Sequence, residues 1–256
     1  MSWRIGSIPY LNVRPLIYGI EDQVVSTVPS RLAELLHRGQ FDAGIVPVAE
    51  VLRHDQYDVL DNVAIAANGP VQSVLLFHRE PIAKLQRIAV DTASRSSVML
   101  LRILLRKVYR NEPEFYARPA NAIPDEHTAM LVIGDEAIRC ARLASGQSVG
   151  VLDLSAAWRE FTGLPFVFAV WAGQRGVFND AGLRSLLLTA KVNGLANIEK
   201  IVQATTEATP EFRREYLTQS IRYDLGSAEK RAVALFQQCA VELGLISVRG
   251  ELRYIA

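Results

Sequence analysis

Cysteine is scarce in this chain: Cys140 and Cys239 are the two in 256 residues, with no CxxC and no nearby histidine pair. That excludes a disulfide framework and a cysteine-based zinc motif, and leaves two buried thiols as the reading. No charge of one sign predominates. With 28 basic against 27 acidic residues the net charge is +1, so no bulk field draws nucleic acid or an anionic membrane, and neither is expected as a partner. Any anionic ligand has to be captured locally. Long apolar runs are missing too: no stretch approaches the ~20 residues of a membrane span. Met1–Tyr10 has neither the basic nor the apolar region of a secretory signal, so a cytoplasmic location is expected. His37, His54, His78 and His127 lie far apart without ligand spacing and read as surface or structural, so no metal site is expected. GxGxxG, GxxxxGK[ST] and HExxH are absent, which weakens nucleotide-binding and zinc-protease readings.

What the chain does have is a globular composition, 50% hydrophobic and 21% charged, in a length that holds one large core or two modest lobes. Short β-rich runs alternate with helix-period segments, the pattern of an α/β protein with largely parallel sheets. Strands are expected at Trp3–Ile8, Val24–Val28, Phe41–Val46, Ser73–Phe77, Arg87–Val90, Met130–Ile133 and Phe166–Trp171. Asn12 is expected to cap a helix with Pro15 in its first turn, and Ser30 to open another that buries Leu32, Leu35 and Leu36 and stops at Gly39. The hydroxyl-rich segment Asp91–Ser97 should lead into a well-buried helix, Val98–Tyr109. From Asp180 the chain turns helical to its end, punctuated at Gly194, Pro210 and Gly226.

In open α/β sheets ligands bind beyond the carboxyl ends of strands, where helix N-termini offer unpaired N–H groups to anions. Three entrances here have that form: around Asn12, around Ser94–Ser97, and at Gly134-Asp135. Together they point to an anion-binding cleft, although the same Asn and Ser side chains could simply cap helices at ~1 kcal/mol each. Arg14 and Arg95 are the cations nearest those entrances and are candidates to hold a carboxylate. Glu50, just past the strand around Val46, is a candidate base or a residue placed for the helix dipole.

The motifs themselves carry more. Ile8-Pro-Tyr-Leu-Asn-Val-Arg-Pro-Leu16 resembles the opening of the chorismate dehydratase family. In the family's order follow Pro29-Ser-Arg-Leu-Ala33, Phe41-Asp-Ala-Gly-Ile-Val-Pro47, Gly69-Pro-Val-Gln-Ser73, Ser94-Arg-Ser-Ser97, Ile133-Gly-Asp135 and the highly specific Thr162-Gly-Leu-Pro-Phe-Val-Phe-Ala-Val-Trp171. They span about two thirds of the chain. Two departures stand out: Asp153-Leu-Ser155, where the family tends to have Asp-Leu-Gly, and Ser96, where threonine is frequent.

The resemblance implies a two-lobed type II periplasmic binding protein-like fold with a discontinuous first lobe. One lobe would join residues 1–76 and 170–256, the other would span 77–169, and Ser73–Phe77 and Phe168–Trp171 would be the hinges. It implies a cofactor-independent hydro-lyase of the futalosine route to menaquinone, converting chorismate to 3-[(1-carboxyvinyl)oxy]benzoate and water. Asn12 and Ser73 would be catalytic, hydrogen-bonding the reacting region. Tyr10, Ser94, Arg95, Ser96, Ser97, Gly134 and Asp135 would bind substrate. Two alternatives share the fold: a non-catalytic small-anion binding protein, and the sister enzyme 1,4-dihydroxy-6-naphthoate synthase, which would need a catalytic histidine.

Overall fold

A computed structural model describes residues 3–91, 94–117, 129–144, 146, 148–248 and 250–256. His127, and Thr92-Ala93 of the segment before Ser94, lie outside these. Strand-forming segments are β1 Ile5–Ser7, β2 Val24–Ser26, β3 Ala43–Pro47, β4 Tyr57–Ala67, β5 Val74–His78, β6 Arg87–Val90, β7 Glu114–Ala117, β8 Ala129–Ile133, β9 Gly150–Asp153, β10 Phe166–Gln174 and β11 Tyr254–Ile255. They form two sheets, β11-β4-β10-β3-β1-β2 and β7-β6-β8-β5-β9. Helices α1 Pro29–His37, α2 Val48–Arg53, α3 Arg95–Lys107, α4 Gly134–Ala144, α5 Leu154–Thr162, α6 Ala181–Ala196, α7 Ile198–Ala204, α8 Pro210–Glu215 and α9 Ser227–Glu242 cover them. Among the described residues no helix is long and apolar enough to cross a membrane.

The expected strands are present with shifted ends, but the sheets are mixed rather than largely parallel. β10 runs antiparallel to β3 and β4, and β5 antiparallel to β8 and β9. The cause is topological. β5 and β10 are the strands that receive the chain as it passes from one sheet to the other, and each enters from the side opposite to its neighbours. Each therefore lies wholly in one sheet, and neither Ser73–Phe77 nor Phe168–Trp171 divides between them. The passages fall earlier, at 68–73 and 163–165, and we propose lobe boundaries there in place of 76/77 and 169/170.

Strand periodicity divides the second sheet's side chains between two apolar layers. Val74 and Leu76 of β5, Ile88 and Val90 of β6, and Ala129 and Leu131 of β8 join the main core. Leu75 and Phe77, Ala89, and Met130 and Val132 join a smaller cluster with Ala137 of α4.

The Thr162–Trp171 motif is a helix stop followed by a strand. Gly163 takes φ 71° at the end of α5, a left-handed conformation that disfavours a side chain. The Thr162 hydroxyl donates to the Trp158 carbonyl at 2.8 Å and accepts the Leu164 N–H at 3.1 Å, while the Trp158 indole donates to the Pro165 carbonyl at 3.0 Å. Trp158 then meets Phe166 and Phe236 edge to face, centroids 5.5 and 6.0 Å away.

Three local expectations change. Asn12 and Pro15 sit inside a 3-10 helix, Leu11–Leu16, and no side chain caps it. Pro29, with its fixed φ, opens α1 in place of Ser30. Gly194 does not end a helix but lies inside α6, where a β-carbon would come 2.0 Å from the Pro15 carbonyl oxygen. The missing side chain lets α6 press directly on the short helix that carries Asn12. Gly194→Ala therefore tests packing against propensity. Propensity alone would stabilise a helix by about 1 kcal/mol. Overlap with rigid backbone destabilises by about 1–3 kcal/mol or more, and urea denaturation is expected to show the loss.

Candidate functional site

A cleft opens between the sheets, and Tyr10, Asn12, Ser73, Ser94, Arg95, Ser96, Ser97 and Gly134 all line it. Residues scattered from 10 to 134 thus share one cavity. Asn12 comes from the 3-10 helix after β1, Ser73 from the passage into β5, and Ser94–Ser97 from the start of α3. Gly134 begins α4, donates its N–H to the Ser73 carbonyl at 2.7 Å, and lies against the Tyr10 ring.

Capping does not account for these side chains. Ser94 occupies the N-cap position of α3 yet makes no cap hydrogen bond, and its buried Oγ has no partner among the described residues. Asn12 Oδ1 is likewise buried without a partner among them. Such orphaned groups each cost about 1–3 kcal/mol in a finished protein core. No acidic residue sits in the first turn of α3, so the positive end of its dipole faces the cleft uncompensated.

Tyr216, which the sequence reading missed, stands behind this wall, against Ser73 and Asn12. It is fully buried in a short π-helical stretch, Tyr216–Ser220, after α8. Its hydroxyl donates to Ser73 Oγ at 2.8 Å. Burial holds the phenol far above its ordinary range, against the opposing hydrogen bonds to Ser73 and Asn12, so it remains a donor. The only sequence signal was a tyrosine among C-terminal helices, some 140 positions from its partner.

Not every candidate faces the cavity freely. Arg95 lines the cleft, but its guanidinium is paired with Glu50, which is 1% exposed. Ser96 Oγ accepts the Ala49 N–H at 3.1 Å, joining α3 to α2 of the other sheet. Glu50 is thus neither free as a base nor placed simply for the dipole. Arg14 is exposed and outside the cleft wall. Asp135 also lies outside it: its carboxylate accepts the Leu11 N–H at 3.2 and 3.3 Å, tying α4 to the Asn12 helix. Ser155, at the first departure from the family pattern, is buried in the first turn of α5 and leaves the Asp153 cap intact.

Two of the histidines, distant in sequence, meet in space. His37 and His54, 17 positions apart, have ring centroids 4.5 Å apart beside Glu50. Gly146-Gln-Ser-Val-Gly150 also matches GxSxG by letter, but it leads from α4 into β9. A nucleophile elbow turns from strand to helix, so the context is reversed.

The family match agrees with this geometry: a family described as menaquinone biosynthesis matches residues 3–242. The chain belongs to that menaquinone biosynthesis family. It is similar to a chorismate dehydratase of Thermus thermophilus, 29% identical over 91% of this chain and 93% of the relative. Among solved structures, a protein of Archaeoglobus fulgidus superposes with TM-score 0.77 at 17% identity, covering 95% of this chain and 98% of that one. The periplasmic aliphatic sulphonate binding protein of Escherichia coli gives TM-score 0.60 at 16% identity, covering 99% and 92%. The fold of this family member is therefore periplasmic binding protein-like, two α/β lobes around a cleft.

Asp135 provides a pH test of the contact between α4 and the Asn12 helix. Burial pushes its carboxyl up to about 6 from an ordinary 3.8, against the opposing pull of the Leu11 N–H. A raised carboxyl takes up a proton on folding within that window, so stability falls as pH rises through it. Asp135→Asn removes this dependence. Relative to wild type, the variant should gain on the order of 1–2 kcal/mol between the acid and neutral sides of the window, after allowance for solvent screening. Urea melts of both proteins on each side measure it; an unchanged difference would show that Asp135 titrates normally.

Proposed function

We propose that this chain is a chorismate dehydratase that removes water from chorismate to give 3-[(1-carboxyvinyl)oxy]benzoate, an early step of the futalosine route to menaquinone. The observation that carries the reading is the pair of buried, unpartnered polar groups, Asn12 Oδ1 and Ser94 Oγ, in a cleft between lobes. Family membership and the similarity to a chorismate dehydratase support it.

The reaction removes the C3 proton and the C4 hydroxyl, and aromatisation of the ring drives it. Proton and hydroxide leave together as one water, so the step is redox-neutral. The substrate's own enolpyruvyl carboxylate takes the proton in this reading, and the protein positions the reactants. Asn12 and Ser73, the latter oriented by the Tyr216 hydroxyl, hydrogen-bond the reacting region. The start of α3, with the Ser94, Ser96 and Ser97 hydroxyls and free N–H groups, fixes a carboxylate. Arg95 contributes charge from behind, shared with Glu50. The cytoplasm is the proposed location.

Purified protein incubated with chorismate and a chelator, with no cofactor added, is expected to form the enolpyruvyloxybenzoate, read by mass spectrometry. Unchanged chorismate that still raises the melting temperature would overturn the enzymatic reading in favour of a binding protein.

Asn12 allows a sharper comparison. Its Oδ1 is unpartnered, and its amide meets the Tyr216 hydroxyl. Replacing the amide by a carboxylate sets a second anion beside the substrate's own in a partly dehydrated site. Asn12→Asp is expected to weaken product binding more than Asn12→Ala does, by about tenfold, equivalent to ~1.4 kcal/mol. Calorimetric titration of both variants decides it; equal affinity for wild type and Asn12→Asp would remove Asn12 from the site.

A further inference from the structure

Outside the cleft, on the far side of the Arg95 contact, two histidines converge on Glu50. His37 is the last residue of α1, Glu50 lies in the first turn of α2, and His54 sits at the C-cap of α2. Four residues apart, Glu50 and His54 share one face of that helix. The end of α1 brings His37 to the same place, its carbonyl held by the Gln56 and Gln174 side-chain amides at 3.1 and 3.3 Å. One ligand atom from each of the three lies within 4.8 Å of the others, with His54 Nε2 3.5 Å from Glu50 Oε1.

We propose that His37, Glu50 and His54 bind one divalent transition-metal ion of the Zn²⁺ class. Two imidazoles and a carboxylate form the donor set that such ions prefer over Mg²⁺ or Ca²⁺. Glu50 is divided between two roles. Arg95 holds its Oε2, leaving Oε1 directed at His54 and at the Tyr57 hydroxyl, 3.3 Å away. A carboxylate fixed through its second oxygen is a preorganised ligand. The Tyr57 hydroxyl, also 3.4 Å from His37 Nδ1, lies between two of the donors and links them. His37 is exposed, which gives an ion an entry path and leaves room for a water ligand. The two rings stand 4.5 Å apart at 53°, close enough for both to reach one ion.

This site stands apart from the proposed reaction, so its test uses no turnover. Chelator-treated, dialysed protein is expected to take up one equivalent of Zn²⁺ in equilibrium dialysis, with no matching uptake of Mg²⁺. Co²⁺ in its place should give the visible d–d absorption of a site with nitrogen donors. His37→Ala and His54→Ala should each lower Zn²⁺ affinity at least about tenfold, while His78→Ala, at the end of β5, leaves it unchanged. Metal-free melting curves of the variants should match wild type, because both rings are at least partly exposed. Glu50 is left intact, since removing it would strand the Arg95 charge. No saturable equivalent of Zn²⁺, or unchanged affinity in either folded variant at position 37 or 54, overturns the site.

Discussion

One carboxylate governs how the two sheets are joined. Asp153, at the end of β9, accepts the N–H groups of Val71 and Gln72 at 2.9 and 2.7 Å through Oδ2, and those of Ser155 and Ala156 at 3.0 and 3.1 Å through Oδ1. The first pair belongs to the passage between sheets and the second to the start of α5. Burial nonetheless pushes this carboxyl above its ordinary range, so desolvation outweighs four opposing N–H donors. What the anion secures is geometry. Gln72 has φ 62°, unusual for a residue with a side chain, and is held by Asp153 on one side and by its own amide donating to Ser220 Oγ at 2.9 Å on the other. Ser73 follows directly, so its place in the cleft is set by the same fixed turn.

From that turn the cleft walls are assembled by contacts that reach from one sheet's helices to the other's. Asp135 meets Leu11, Ser96 meets Ala49, and Arg95 meets Glu50; farther out, Arg106 donates to the Leu243 carbonyl at 3.1 Å and Lys107 pairs with Glu242 at 2.5 Å. These differ in weight. The Lys107–Glu242 pair is well solvated and contributes little, whereas breaking Glu50 from Arg95 would leave a buried charge unpaired. The strong contact lies beside the cleft and the weak one at the far end of α3. The lobes are thus held most firmly where ligand groups would be bound.

Much of this was legible in the sequence because it rests on local rules. Short continuous apolar runs place β5, β6 and β8; Gly39 follows the end of α1, and Thr162-Gly-Leu-Pro ends α5. The motif at Asn12 and the serines at 94, 96 and 97 signalled polar groups at element ends, and eight of the nine residues singled out line one cleft. What escaped depends on distance along the chain. Periodicity cannot show that β5 and β10 run against their neighbours, since antiparallel and parallel strands share a period of two. Nor can it bring Tyr216 to Ser73, or His37 to His54. Arg95 carried the correct charge for an anionic ligand and Asp135 stood at a helix entrance, but only three dimensions reveal that each already has a partner.

The unpartnered groups follow from this division of labour. A residue kept only for stability at Ser94 would cap α3, and one at Asn12 would bond within its own helix. Neither does, although both stand in frames that leave them little freedom. Gly194 lets α6 press on the backbone of the Asn12 helix, and Tyr216 fills the space behind Asn12 and Ser73. The surrounding packing therefore fixes polar atoms in positions where the protein itself does not satisfy them, a cost that a ligand with complementary groups removes. On the proposed reading, the C4 hydroxyl of chorismate donates to Asn12 Oδ1 and a carboxylate accepts from the Ser94 hydroxyl. The stability forgone at these groups then becomes binding energy directed at the reacting part of the substrate, because they need no reorganisation when it arrives.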